Sequence, residues 1–216
     1  MREKFTNQLR ELNLKMLKMG AMVEHIIDLS IEALVKRDLE LAGKINKLDD
    51  EIDELELEIE IECMQILALQ QPMAKDLRVI GTILKIITDL ERMGDHAVNI
   101  AKTTIKIGNA PLIKPLIDIP RMSKLSQDMV SKSLDAFMKE DIELSRAIAA
   151  EDELVDKIYE DIYMELIGMM IEKPEIIEQA THLLFIGRFL ERIADHATNI
   201  GERVIYMVTG ERVEIN

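Results

Sequence analysis

The fold of this chain is decided by a stretch of sequence that occurs twice. Residues 90–100 read LERMGDHAVNI, and residues 190–200 read LERIADHATNI. A second block, KRDLEL at residues 36–41, matches KEDIEL at residues 139–144 in the same chain order. Two matching blocks in one order are poorly explained by chance, so the sequence predicts two halves related by internal duplication.

Apolar residues in the first half recur at alternating spacings of three and four, which is typical of helices that face a bundle core. This pattern forms three runs, at residues 5–33, 41–69 and 80–101. Asp38 is the predicted N-cap between the first two runs, and Pro72 marks the boundary before the third. Each helix would span about 33 residues, or roughly 50 Å.

The second half repeats this pattern, with turns predicted at Asp141 and Pro174. Three long helices joined by tight turns pack as an up-down-up bundle. Pro111, Pro115 and Pro120 interrupt any helix between the halves. The sequence therefore predicts an all-α fold of two tandem up-down-up three-helix bundles, at residues 1–107 and 121–210, with a Pro-rich linker at 108–120 and a C-terminal tail at 211–216.

Composition narrows the functional classes. The formal net charge is −14 and aromatic residues make up 3% of the chain, so a nucleic-acid partner is disfavoured. The single cysteine fits a reducing compartment. We find no signal peptide and no apolar run long enough to cross a bilayer. These features predict a soluble cytoplasmic protein without a transmembrane segment.

The second helix of the first half is unusually acidic, with no Lys or Arg between Lys47 and Lys75. A solvated acidic face is the simplest interpretation. The geometry of a helical hairpin favours a different interpretation, in which acids of neighbouring helices face one another. Asp53 and Glu91 lie 19 residues before and after Pro72, and a second pair of acids lies 23 residues from it on each side, namely Asp49 and Asp95. Antiparallel helices therefore place each pair at one height.

The acids of the second half are arranged similarly around Pro174, with an offset of one residue. Four carboxylates at one level repel each other unless they take up protons or hold a cation. We therefore expect one metal site in each half, formed in the first half by Asp49, Asp53, Glu91 and Asp95 and in the second by Asp152, Asp156, Glu191 and Asp195.

Ligands that offer only oxygen suit ions such as Mg²⁺, Mn²⁺ or iron. The small residues Gly94 and Ala194 leave space for an ion between the helices. The alternative is that these acids face water or pair with the arginines Arg92, Arg192 or Arg78.

Further polar residues could complete the clusters. Reflection about Asp38 brings Glu24 and Asp28 of the first helix near the level of the acids, and reflection about Asp141 does the same for Asp128. Asn99 and Asn199 follow the last Asp of each half by one turn, so they are either hydrogen-bond donors to it or plain surface amides. We expect the imidazoles of His96 and His196 to form hydrogen bonds rather than to bind metal.

Motifs of catalysis are absent from the sequence. Di-iron carboxylate enzymes use Glu-x-x-His, but the residues three before the four histidines are Met22, Met93, Gln179 and Ile193. No phosphate-binding loop or nucleophile elbow occurs. The sequence favours a protein that is not an enzyme. A carboxylate-bridged metal enzyme, an ion-storage protein and a purely structural helical adaptor without metal remain as alternatives.

The duplicated acidic signatures, together with the segment QPMAKDLR at residues 71–78, resemble those of the PhoU family. The resemblance covers nearly the whole chain. It implies a cytoplasmic regulator of phosphate uptake that restrains the phosphate regulon through contacts with a phosphate ABC transporter, at its cytoplasmic ATPase subunit, and with a sensor histidine kinase. It also implies a homodimer with metal ions on the paired signatures, iron above all, with Mg, Mn or Zn as other candidates.

The second half departs from the first at one place. No segment resembling AKDLR, residues 74–78, follows Pro174. Any contact made by that segment would therefore exist in one half only.

Overall fold

The chain is described by a computed structural model over residues 2–215, with side chains from residue 4 to residue 215. Long α-helices make up most of this part of the chain, which contains no strand. They are α1 Arg2–Lys36, α2 Leu39–Gln70, α3 Lys75–Ile107, α4 Asp118–Lys139, α5 Ile142–Glu172 and α6 Ile177–Thr209, with a 3₁₀ turn at Pro174–Ile176. The predicted all-α fold of two repeated three-helix bundles is confirmed.

The turns at the start of α2 and α5 have the same structure in both halves. Asp38 and Asp141 are N-caps whose carboxylates accept a hydrogen bond of 2.9 Å from the backbone N–H three residues on. The preceding residues, Arg37 and Glu140, have φ of 56° and 53°. They take the left-handed conformation that glycine usually supplies after a helix, which is why neither turn carries a glycine signal in the sequence.

Helix α4 is shorter than the other five, with 22 residues. It begins at Asp118, so the irregular segment between α3 and α4 spans residues 108–117, three residues fewer than the predicted linker. Pro120 lies in the first turn of α4. A proline is tolerated there because its missing N–H would have no partner inside the helix.

Packing between the halves involves the first and third helices of each bundle. Helix α3 packs against α6, and α1 packs against α4. Helices α2 and α5 contact only helices of their own half, so they lie at the two outer edges of the molecule. The acids of α2 and α5 are therefore opposed by α3 and α6, and the other sides of α3 and α6 face each other across the contact between the halves.

The core is built from the predicted apolar runs, and residues such as Met16, Ile52 and Ile83 are fully buried. One position was predicted wrongly, since Leu69 is 78% exposed. The buried stripe of α2 runs through positions 59, 63 and 66 and would continue at 70, so Leu69 lies about 100° round the helix from it. None of the described helices carries an apolar stretch that could span a bilayer.

Candidate functional site

The first acidic cluster lies between α2 and α3. Asp49 is buried with 8% of its surface exposed, whereas Asp53 is exposed and Glu91 and Asp95 are half-buried. Burial, followed by the negative charges of Asp53, Asp95 and Glu91, raises the pKa of the Asp49 carboxyl to about 7. The hairpin thus brings together the four acids that the residue counts around Pro72 predict.

Gly94 makes room for the buried carboxylate. A Cβ atom at this position would lie 2.5 Å from Asp49 Oδ1, which is closer than any real contact allows. Asp49 Oδ1 is buried and has no hydrogen-bond partner. A buried carboxylate oxygen without a donor is costly unless it is protonated or faces a cation.

Two of the four acids also pair with an arginine. Arg92 lies on the surface of α3 and pairs with Asp95 at 3.0 Å and with Glu91 at 3.3 Å. Burial raises the pKa of Glu91, with Asp95 adding to the rise and Arg92 opposing it. The pairing with Arg92 that the sequence left open is therefore observed, although Asp49 takes no part in it.

The second cluster lies between α5 and α6. Asp152 and Glu191 are buried, with 2% and 8% of their surface exposed, while Asp156 is exposed and Asp195 is half-buried. Burial, followed by the charge of Asp195, raises the pKa of Glu191 to about 7. Burial also raises the pKa of Asp156, again with Asp195 as the neighbouring charge.

Arginines accompany this cluster as well. Arg188 pairs with Glu191, and Arg192 pairs with Asp195 at 3.2 Å. Glu191 Oε2 is buried and accepts no hydrogen bond. Both clusters therefore combine a buried carboxylate that has an unpartnered oxygen with arginines at the exposed side. Arg78, the third arginine considered from the sequence, instead donates to the backbone carbonyl of Met207.

The side chains of the two acidic clusters do not form a complete metal-ligand shell. Within residues 4–215, no three side chains of His, Cys, Asp or Glu are placed so that they could hold a metal ion together. The carboxylate ligands suit a cation, as do the buried oxygens of Asp49 and Glu191 that have no hydrogen-bond partner. Instead, the more exposed acids of the clusters pair with arginines of their own helices.

The acids of α1 and α4 have other neighbours. Glu24, Asp28 and Asp128 surround Lys124, and Asp128 pairs with it at 2.8 Å. Burial raises the pKa of Glu24, and its neighbouring charges are Lys124 and Asp128. The structure thus brings Glu24 and Asp128 together across the α1–α4 contact, whereas the strongest charges acting on Asp49 come from α2 and α3.

Asn99 and Asn199 lie on the half-buried faces of α3 and α6. In the described part of the chain, neither side-chain amide forms a hydrogen bond to the preceding Asp. The backbone carbonyl of Asn99 accepts a hydrogen bond from Thr103 at 2.7 Å. Of the two interpretations that the sequence left open, the structure therefore favours amides without a bond to the clusters.

The two histidines meet at the contact between α3 and α6, where their rings are 5.8 Å apart. His196 Nδ1 lies 3.0 Å from Asp89 Oδ1, so the expected hydrogen bond is confirmed for this residue. For His96 it stays a prediction: Nδ1 is buried without a partner among the described residues, and the ring stacks on Phe189 at 5.8 Å. Burial, followed by the charge of His196, lowers the pKa of His96 to about 4.

Sequence reasoning missed the ionic centre of this contact. Asp89 is buried, and besides His196 it binds Arg203, whose Nε donates to Asp89 Oδ2 at 2.7 Å. At the offset of 100 that relates the halves, Asp89 corresponds to Phe189 and Arg203 to Thr103. Each of these charged residues thus stands where the other repeat has an uncharged one. This difference between the repeats was the signal that the sequence offered.

The fold and the clusters together define a class of protein: a tandem repeat of three-helix bundles with an acidic cluster between the second and third helix of each. The PhoU domain matches this chain twice, at residues 16–104 and 119–204. The chain belongs to the PhoU family.

Relatives match over the full length. The phosphate-specific transport system accessory protein PhoU homolog of Clostridium acetobutylicum is 39% identical over 216 residues, 100% of this chain and 99% of that protein. The protein of the same description from Aquifex aeolicus is 42% identical over 211 residues, 98% of this chain and 96% of the relative.

Solved structures agree with the fold. The crystal structure of PhoU from Pseudomonas aeruginosa superposes with a TM-score of 0.91 at 36% identity, over 96% of this chain and 100% of that one. The phosphate transport system regulatory protein PhoU from Streptococcus pneumoniae gives a TM-score of 0.90 at 36% identity, over 97% and 99% of the two chains.

Proposed function

We propose that this protein is a cytoplasmic, metal-binding regulator of phosphate uptake that restrains the phosphate regulon. It acts by protein contacts rather than by catalysis, as a homodimer that binds the ATPase subunit of a phosphate ABC transporter and a sensor histidine kinase. The observation that carries the proposal is family membership on both repeats over the full length. The relatives are named accessory proteins of the phosphate-specific transport system.

Metal binding is proposed on the two acidic clusters. In the first, Asp49, Asp53, Glu91 and Asp95 would hold the ion, and in the second Asp152, Asp156, Glu191 and Asp195. The unpartnered buried oxygens of Asp49 and Glu191 support this assignment. A bound ion supplies positive charge that neutralises acids from two helices and ties these helices together.

Metal binding at the first cluster would change the position of Arg92. Arg92 pairs with Glu91 and Asp95 and neutralises part of their charge. A cation at the cluster would take over this role, so Arg92 would turn outward and add a positive charge to the surface of α3. Iron, Mg²⁺ and Mn²⁺ suit carboxylate ligands, and Zn²⁺ more often takes nitrogen and sulfur ligands.

Metal analysis of matched variants tests the sites. In Asp53→Ala with Glu91→Ala, we expect the ion of the first cluster to be lost while the helical content stays unchanged. Asp156→Ala with Glu191→Ala should remove the second ion only. Asp50→Ala with Glu54→Ala is the control, because it removes the same charge from exposed positions of α2.

A second candidate is a helical adaptor that binds no metal, and the arginine pairs favour it because they already neutralise part of each cluster. Absence of metal from the wild type after gentle purification would support this candidate, whereas full metal content in both cluster variants would remove these acids as ligands. The partner proposal is tested separately. Pull-down with the transporter ATPase subunit and the kinase cytoplasmic domain should retain both, and retention of neither would contradict it.

A further inference from the structure

A cleft of about 930 Å³ opens between α3, α6 and the C-terminal residues 212–214. Its walls carry four basic side chains together with a tyrosine ring and a threonine, namely Arg78, Lys85, Arg203, Arg212, Tyr206 and Thr82. The cleft is separate from the residues of both acidic clusters. None of the functions discussed above makes use of it.

The charge of the cleft is opposite to that of the whole chain. Four basic residues face two acidic ones, Glu202 and Glu214, in a protein whose formal net charge is −14. Glu202 accepts a hydrogen bond of 3.0 Å from the backbone N–H of Ile215, so one of its oxygens is occupied by the tail. A concave surface with an excess of cations concentrates anions locally, even on an acidic protein.

Two of the arginines are held in place by the protein through a single nitrogen each. Arg78 Nε donates to the carbonyl of Met207 at 3.0 Å, and Arg203 Nε donates to Asp89 Oδ2 at 2.7 Å. Within residues 4–215, the terminal nitrogens of both guanidinium groups have no acceptor at hydrogen-bond distance. Each arginine is therefore oriented and still offers two terminal NH₂ groups, the geometry that binds phosphate oxygens in pairs.

The cleft contains an aromatic surface as well as charge. The guanidinium carbon of Arg212 lies 5.9 Å from the centre of the Tyr206 ring, so the tail and α6 form one wall. The volume falls in the range of about 300–1,000 Å³ that is usual for small-molecule sites. The cleft can therefore admit a group larger than a single phosphate.

The basic residues of this cleft are not repeated at the positions that the duplication relates to them. At the offset of 100, Glu178 stands in place of Arg78, Phe185 in place of Lys85 and Thr103 in place of Arg203. The duplicated fold would tolerate either set of residues, so the basic residues of both helices mark this one side of the α3–α6 contact. The segment at residues 74–78, which the second half lacks, contributes Arg78 to this wall.

We propose that this cleft binds a small ligand bearing a phosphate group, held by Arg78, Arg203 and Lys85. The ligand is either free phosphate or a phosphate ester of up to nucleotide size, since both offer the same group to the arginines. The tyrosine ring would contact the remainder of an ester. This proposal is independent of the metal clusters, because no carboxylate of either cluster lines the cleft.

Isothermal titration calorimetry of the full chain tests the proposal with three probes: inorganic phosphate, AMP and ATP. A chelator prevents phosphate from binding through a metal ion. Constant ionic strength keeps non-specific charge effects equal in all titrations. Arg78→Gln and Lys85→Gln are the test variants, and Lys85 is exposed, so its replacement leaves the fold intact. Lys102→Gln is the matched control, because this exposed lysine occupies the position equivalent to Glu202.

We expect saturable one-to-one binding of at least one probe, weakened about tenfold or more in each test variant and unchanged in Lys102→Gln. Tighter binding of inorganic phosphate than of the nucleotides would identify the free anion as the ligand, and the reverse order would identify an ester. Absence of saturable binding of all three probes at millimolar concentration would overturn the proposal. So would equal affinities in Lys85→Gln and Lys102→Gln.

Discussion

His196 Nδ1 of α6 lies 3.0 Å from Asp89 Oδ1 of α3, so a carboxylate of the first repeat and an imidazole of the second are joined directly. Asp89 is 5% exposed and also binds Arg203 at 2.7 Å. This buried ionic centre occurs once, on one side of a contact between two related helices. It lies within the α3–α6 contact, through which the two bundles pack against each other.

Replacement of Asp89 by alanine should loosen this contact. The change leaves Arg203 and His196 without their acceptor, so we expect the free energy of unfolding to fall by about 2 kcal/mol. Urea unfolding measures the change. Asp76→Ala, at an exposed position of the same helix, is the control and should have little effect. Equal stabilities of the two variants would show that the ionic centre does not stabilise the fold.

Gly94 should not tolerate a methyl group. In Gly94→Ala, the new Cβ would lie 2.5 Å from Asp49 Oδ1, so the carboxylate must move and we expect a loss of about 1–3 kcal/mol. In Gly43→Ala, where nothing lies within 4 Å, the same change should stabilise α2. The gain there is about 0.5–1 kcal/mol, from helix propensity. Thermal unfolding of the two variants should therefore shift in opposite directions, and a gain in both would contradict the close approach.

The metal-free protein should become less stable as the pH rises through the range in which Asp49 ionises. The pKa of Asp49 is raised from 3.8 in the unfolded chain to about 7, so the folded state holds the proton more tightly. The charged Asp49 carboxylate begins to destabilise the folded state above pH 3.8, and this effect is complete above about pH 7. Asp49→Asn removes it.

We therefore expect Asp49→Asn, in chelator, to exceed the wild type in stability by on the order of 2 kcal/mol about one unit above pH 7. The difference should vanish near the lower pKa. Urea titrations at both pH values measure it, with exposed Asp50→Asn as the control. A constant difference across the range would refute the coupling between the cluster and stability.

The thiol of Cys63 should be inert in the native protein. It is fully buried, and burial, with the charges of Glu62 and Glu60, raises its pKa to about 12. Thiolate is the reactive form, so iodoacetamide should label Cys63 only after unfolding in urea. In Met64→Cys, the added thiol at this 56% exposed position should react in the native state. Mass spectrometry distinguishes the two sites, and equally rapid native labelling of both would be the contrary result.

The helices and the acidic clusters could be predicted because short turns fix the relative position of neighbouring helices. Counting from Pro72 places Asp49 beside Asp95 without any knowledge of side-chain packing. The N-cap at Asp38 was predicted from its position between two apolar runs, and the turn at Asp141 from the corresponding place in the second half. Local geometry and repetition therefore carry most of the fold and the pairing of the acids.

The contact between the halves could not be predicted in this way. Ten residues of irregular chain, 108–117, separate α3 from α4, so no count relates the height of Asp89 to that of His196. The partner of a surface arginine is also undetermined by spacing, since Arg92 has acids within reach on its own helix and on α2. These features depend on tertiary packing, which the periodicity of a single helix does not encode.

The most direct test of the central claim, that carboxylates of two neighbouring helices share an ion, is an anomalous difference map from crystals grown with Mn²⁺. The claim predicts a peak between α2 and α3, about 2–2.6 Å from carboxylate oxygens of both helices, with Asp49 among its ligands. A second peak is predicted between α5 and α6, beside Glu191. Anomalous peaks confined to single exposed acids, with Arg92 still paired to Glu91 and Asp95, would contradict the claim.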